Sequence, residues 1–171
     1  LRMLAVWAAD AISGLQADGI LGMAPRDQTG GEGELLVEKL ASQGVIGYNG
    51  FGVDYQFTTG TSYITLGGWD RDIVANESDF TWIDLVDTQY WSLEYKGGSY
   101  GNQEFEISAS RGILDTGTSL TYFSGSDFNV VWALLTEGKT CGRISSGSYS
   151  GYLACNCDSI DEFEDITLKF G

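Results

Sequence analysis

Along most of the chain apolar and polar residues change over within a few positions, a rhythm too short for long helices and suited to strands. Val53–Phe57 alternates in part, Tyr63–Leu66 reads Tyr-Ile-Thr-Leu, and Phe80–Val86 and Tyr90–Tyr95 are rich in aromatic and β-branched residues. Side chains of that shape fit a pleated, half-buried surface. Between these runs lie Thr58–Ser62, Leu66–Asp70 and Tyr95–Asn102, where Gly, Asp and Ser mark turns. The pattern predicts a mainly β architecture.

Two windows carry helical spacing instead. In Glu34–Gln43, Leu36, Val37 and Leu40 fall on one face and Gly44 supplies a stop. In Asp127–Glu137, Phe128, Val131, Trp132 and Leu135 follow the i, i+3, i+4, i+7 spacing, with Ser126 as N-cap and Gly138 beyond the end. Both read as short helices laid on sheets. No low-complexity linker separates domains, so any boundary is compact. The turn at Gly67, Gly68 and Trp69 divides the chain into residues 1–68 and 69–171.

Composition narrows the chemistry. The chain has no His, which removes Ser-His-Asp triads, Cys-His pairs and His-ligated zinc from within it. Three cysteines, Cys141, Cys155 and Cys157, fall short of a Cys-only zinc site and contain no C-x-x-C pair, so neither a metal site nor a redox pair of that kind is expected. Nine basic residues against 24 acidic ones cannot assemble a face for phosphates, which argues against nucleic acid. No apolar stretch is long enough to span a bilayer. A net charge of −15 is relieved by protonation, which favours a mildly acidic lumen over neutral cytosol.

What remains in quantity is carboxylate and hydroxyl, and one segment concentrates them. Ile113–Leu120 reads Ile-Leu-Asp-Thr-Gly-Thr-Ser-Leu. The apolar pair suits a strand end, Gly117 lets the backbone turn beside the carboxylate, and the hydroxyls and amides that follow can hold its oxygens. The plain alternative is an ordinary Asp-Thr-Gly turn between strands.

This segment resembles the catalytic signature of the pepsin-like aspartic proteases, and the likeness extends along nearly the whole chain in family order. Ala17–Ala24, Ala-Asp-Gly-Ile-Leu-Gly-Met-Ala, resembles the apolar-apolar-Gly element that accompanies a catalytic loop. Ser62–Asp70 resembles the strand and turn leading out of the first lobe, Tyr90–Tyr95 the Tyr-Trp strand of the second, and the stretch from Cys157 the one after the second-lobe disulfide. The resemblance implies a bilobal pepsin-like acid protease fold, incomplete here: the end of the first lobe and most of the second.

In that family each lobe presents its Asp-Thr-Gly loop before its apolar-apolar-Gly element. Here Ile20-Leu21-Gly22 precedes Asp115, so the chain reads as the middle of a bilobal enzyme. Peptide hydrolysis without His or metal needs one carboxylate as base towards water and a second, protonated one to polarise the scissile carbonyl. Two adjacent carboxyls share a proton and titrate as a pair, for which the aspartic-protease dyad is the standard example. No second Asp-Thr-Gly or Asp-Ser-Gly occurs in the 171 residues, so the partner Asp is expected from the rest of the protease or from another chain, and the chain alone is expected to be inactive. Asp18 reads as part of a structural turn, and Asp158, Asp161, Glu162, Glu164 and Asp165 as a solvated acidic face.

By the same resemblance, Gly117 and Thr118 line the cleft floor and bond an extended peptide, while Ile113 and Tyr90 shape pockets on the leaving side; plain core packing is the alternative for both. Ala17 stands where the family often has an aromatic; if it faces the cleft, the unprimed-side pocket is expected to be roomier. The resemblance pairs Cys141 with Cys157, closing a loop worth about 3 kcal/mol on the chain-entropy model. On one strand, positions 155 and 157 point to the same face, so Cys155 competes for Cys141. A bridge of either kind implies an oxidising compartment. Asn76-Glu77-Ser78 is an N-glycosylation acceptor in a polar, turn-like stretch.

The expected function is therefore an aspartic endopeptidase acting on peptides or proteins, secreted or held in an acidic lysosome- or vacuole-type lumen. The alternatives are a catalytically silent pepsin-like domain that binds protein or glycan in an extracellular assembly, and an unrelated acidic β-sandwich adhesion module.

Overall fold

The computed structural model of the chain describes residues 18–25, 34–56 and 60–171. Ala17 and Phe57–Thr59 lie outside the described residues, and with them the pocket reading of Ala17 and parts of one strand and one turn. Among the described residues the chain is mainly β, with two short α-helices. It divides into two compact units, one of residues 1–83 with Asp87–Trp91 and one of Asp84–Val86 with Ser92–Gly171. No helix among the described residues is long and apolar enough to cross a membrane.

In the first unit, α1 (Leu36–Ser42) is shorter at both ends than its apolar spacing predicts. It closes where expected: Gly44, at φ 69°, donates to Ala41 O and Val45 to Leu40 O, the paired bonds of a Schellman ending. β1 (Phe51–Asp54) and β2 (Tyr63–Leu66) form an antiparallel pair with Phe51 opposite Leu66. Gly52 lies close against the Trp69 backbone: an added Cβ would meet Trp69 Cα at 3.1 Å, so a side chain there would require the neighbouring chain to shift by a few tenths of an ångström. Trp91 packs edge-on against Phe51, centroids 5.6 Å apart, and its indole N–H donates to Met23 O at 2.8 Å.

Phe80–Val86, expected as a strand, is irregular. Its aromatic residues are used in ring packing instead: Phe80 meets Trp69 edge-on at 5.0 Å and Trp82 at 5.6 Å. A short 3-10 turn, Glu77–Asp79, precedes them. Aromatic content reads as β from sequence, but here it fills a small cluster with no strand partner among the described residues.

The second unit is built around β3 (Ser92–Tyr100), which pairs antiparallel with β4 (Gln103–Phe105), β5 (Arg111–Ile113) and β8 (Ile166–Phe170). β3 runs through Gly97 and Gly98, which the sequence suggested as a turn. Gly97 adopts φ 131° at a register shift against β8, so a β-bulge there lets one strand serve β5 with its first half and β4 and β8 with its second. Gly98 is required by packing, since an added Cβ would lie 2.6 Å from the Phe105 ring. Phe105 and Val131 are the buried apolar side chains among the described residues.

α2 spans Gly125–Thr136, two residues earlier than expected, with Ser124 and not Ser126 at the N-cap. Phe128 and Trp132 stack one turn apart, and Val131 is buried. β6 (Cys141–Arg143) and β7 (Leu153–Cys155) form a hairpin whose register sets Cys141 directly opposite Cys155. The disulfide joins these two, not Cys141 and Cys157 as the resemblance implied. Asn156 N–H donates to Thr140 O, carrying the ladder one residue on, and Cys157 beyond it is an exposed free thiol. The cross-strand partner thus decides between two cysteines that share a face.

Candidate active site

β5 ends at Ile113 and delivers the chain into a tight acidic loop. The Asp115 carboxylate is held from within that loop. Gly117 N–H donates to Oδ1 at 2.9 Å, Thr118 Oγ1 donates to Oδ2, and Thr118 N–H reaches Asp115 O at 3.3 Å. An added Cβ at Gly117 would meet Asp115 Oδ1 at 3.2 Å, so glycine here leaves the carboxylate its place. The Thr118 hydroxyl, then the Gly117 amide, stabilise the anion and hold the Asp115 carboxyl below the ordinary carboxylate value of 3.8. Asp115 is exposed, as is every residue from Ile113 to Tyr122. The loop therefore offers solvent an oriented, ionised carboxylate.

The structure brings Asp115, Gly117 and Thr118 together and sets Ile113 at the strand end two residues away, in register with Ser92. Ile113 is 51% exposed, so it is not core. Tyr90 belongs to the first unit and is also exposed, with Asp87 Oδ1 accepting its backbone N–H. Ile20, Leu21 and Asp18 are exposed residues of the first unit. In the acidic run, Glu162 accepts the N–H groups of Asp158 and Ser159 at the 3-10 turn Ile160–Glu162, and those backbone donors lower its pKa. That carboxylate is a local cap.

Asp127, named in the sequence reading only as the start of a helical window, has a role that reading missed. It is 2% exposed at the third position of α2, and four donors converge on it. Oδ1 accepts Ser108 N–H at 2.6 Å and Ser108 Oγ at 2.8 Å; Oδ2 accepts Ala109 N–H at 3.0 Å and Ser124 Oγ at 2.6 Å. The Ser124 hydroxyl, followed by the Ser108 amide, leads in holding its carboxyl down at about 2, against the opposing effect of burial. Because the folded value lies below the ordinary 3.8, the stabilisation is complete above that pH and is lost only as pH falls towards about 2. Its charge also helps burial raise the Tyr95 phenol on β3. The signal available in sequence was Ser-x-x-Asp at Ser124–Asp127, a helix-start pattern two residues before the chosen cap.

Comparison with known proteins follows the same line. The family model described as eukaryotic aspartyl protease matches residues 5–171. A renin of Echis ocellatus is 30% identical over 159 residues, covering 90% of this chain and 37% of that protein. Polyporopepsin of Irpex lacteus is 30% identical over 125 residues, covering 65% and 36%, and the vacuolar aspartic protease of Candida albicans is 27% identical over 106 residues, covering 62% and 23%. The chain thus spans 23% to 37% of the length of these curated relatives. No solved structure matches it significantly.

Proposed function

Since the chain belongs to the eukaryotic aspartyl protease family, we propose that it supplies one catalytic carboxylate, Asp115, to an aspartic endopeptidase that hydrolyses extended peptides. The observation that carries this reading is the Asp-Thr-Gly-Thr loop itself, whose own amide and hydroxyl orient the Asp115 oxygens at the exposed end of β5. A second Asp, from beyond these 171 residues or from another chain, completes the pair. One carboxylate takes a proton from water as the water oxygen bonds to the scissile carbonyl carbon. The other, protonated, donates to the carbonyl oxygen. In the collapse of the tetrahedral diol, the carboxyl that took the water's proton gives it to the amide nitrogen, the other carboxylate takes a proton from a diol hydroxyl, the C–N bond breaks, and the amine leaves with the pair back in its starting protonation state. No covalent enzyme intermediate and no cofactor enters this scheme, and the chain on its own is inactive.

Gly117 and Thr118 form the floor on which the peptide backbone rests, and Ile113 and Tyr90 contribute to pockets, roles supported by family resemblance and by the exposure of all four. The sequence reading puts the lobe boundary at the Gly67–Gly68 turn, whereas the compact unit that holds this turn continues to Ile83 and takes in Asp87–Trp91. The test is cleavage of a protein substrate in acid by the complete protein, abolished by pepstatin; resistance to pepstatin would assign the activity elsewhere. Absence of cleavage by a folded complete protein would favour the silent, protein- or glycan-binding reading.

Secretion or delivery to a vacuole- or lysosome-type lumen is supported by the Cys141–Cys155 bridge and by the vacuolar relative. Passage through that route would expose Asn76, the chain's one Asn-x-Ser/Thr triplet, to N-glycosylation. The side chain is exposed at the start of a 3-10 turn, with Nδ2 3.4 Å from Asp79 Oδ2. A glycosidase-sensitive mass on the peptide containing Asn76, lost in Asn76→Gln, is the expected result from a eukaryotic secretory host. An unmodified wild-type peptide would refute it.

A further inference from the structure

One carboxylate fastens both ends of the segment that carries Asp115. On the leading side Asp127 binds the backbone of Ser108 and Ala109, two residues before β5. On the trailing side it binds the Ser124 hydroxyl, at the N-cap of its own helix. Between the ties run residues 110–123. Their front is secured by β5, through Arg111, Gly112 and Ile113 against Glu94, Leu93 and Ser92. From Leu114 to Phe123 there is neither helix nor strand. The Asp115 loop holds its own carboxylate, but those bonds lie within the loop and do not themselves tie it to the rest of the unit.

We propose that Asp127 is the positioning residue for Asp115, clamping the start and finish of the 110–123 segment so that the Asp115 loop occupies one place at the end of β5. This deepens, and rests on, the reading of Asp115 as a catalytic acid. A carboxylate suits the task because its two oxygens take four donors from two stretches of chain, and charge-assisted bonds of that kind are about twice as strong as neutral ones. A displacement of about 1 Å in a reacting group can lower a rate roughly 100-fold, so modest loosening at the clamp is readable in turnover. Asp127 touches no reacting atom in this account; its effect passes through the backbone.

The experiment compares wild type, Ser124→Ala and Asp127→Ala in the complete protein. Ser124→Ala removes the trailing tie alone and keeps a foldable protein should Asp127→Ala fail to fold. Amide hydrogen exchange at Gly117 and Thr118 is expected to accelerate roughly tenfold in Ser124→Ala and further in Asp127→Ala, with Val131–Leu134 of α2 changing far less. In peptide cleavage, kcat is expected to fall by roughly tenfold or more with KM nearly unchanged. Unaltered exchange at Gly117 and Thr118, or acceleration spread evenly over the second unit, would overturn the clamp and leave Asp127 with an ordinary capping role. Exchange needs no turnover, so the two readings fail separately. Selective acceleration in a protein that cleaves nothing supports the clamp while removing the proteolytic reading.

Discussion

Asp115→Asn in the complete protein is expected to lower peptide cleavage by roughly 10³-fold, the scale on which general acid–base groups act, while leaving the melting temperature unchanged. Asn is close to isosteric, and its carbonyl oxygen can still accept the Gly117 N–H that now reaches Oδ1 at 2.9 Å. Its amide faces the Thr118 hydroxyl, whose oxygen can accept in turn. What disappears is the negative charge that takes the proton from water, or, in the other protonation state, the acid proton given to the carbonyl. The loop survives and the chemistry does not. A variant retaining near-wild-type cleavage would mean that Asp115 only shapes a turn.

The second large effect concerns the β6–β7 hairpin. Cys141→Ser is expected to cost about 3 kcal/mol of unfolding free energy, because the bridge closes a chain with a sequence separation of 14. Cys157→Ser should leave stability near wild type, since that thiol is free and exposed. Denaturant melts of the two variants, with peptide mapping of the bridge, decide the pairing. If Cys157→Ser proved the damaging substitution, the Cys141–Cys157 bridge implied by the resemblance would stand and the hairpin register would be wrong.

The parts of the fold that could be read in sequence are those set by neighbours along the chain. Tyr63–Leu66 was legible as a strand because a β-prone run is cut off by Gly67 and Gly68, and Gly67 takes φ 85° to end it. Gly44 and Gly138, both at φ 69°, likewise marked where the helices stop. Elements decided by distant partners were not legible. The run through Gly97 and Gly98 looks like a turn until Phe105 is seen pressed against Gly98 and β8 is seen to impose the bulge. The choice between Cys155 and Cys157 waits on the register of a hairpin, and a one-residue slip in a strand turns every side chain over.

The same division runs through the candidate site. Asp115, Gly117 and Thr118 lie within four consecutive residues and bond one another, so their arrangement is written in a short motif. Asp127 meets Ser108 and Ala109 from 19 and 18 residues away, and nothing in a window around it announces those partners. Ser124, three residues before it, was the one local clue.

The central claim is that Asp115 is one half of a proton-sharing pair, and its titration tests this most directly. Labelled with ¹³C at the carboxyl and followed by NMR, Asp115 in the isolated chain is expected to titrate in one step below the ordinary value of 3.8, held there by Thr118 and Gly117. In the complete protein the account predicts two coupled steps, one of them moved up by the neighbouring carboxylate, and a return to one step when the partner Asp is replaced by Asn. A single low step, identical in the isolated chain and the complete protein, would contradict it.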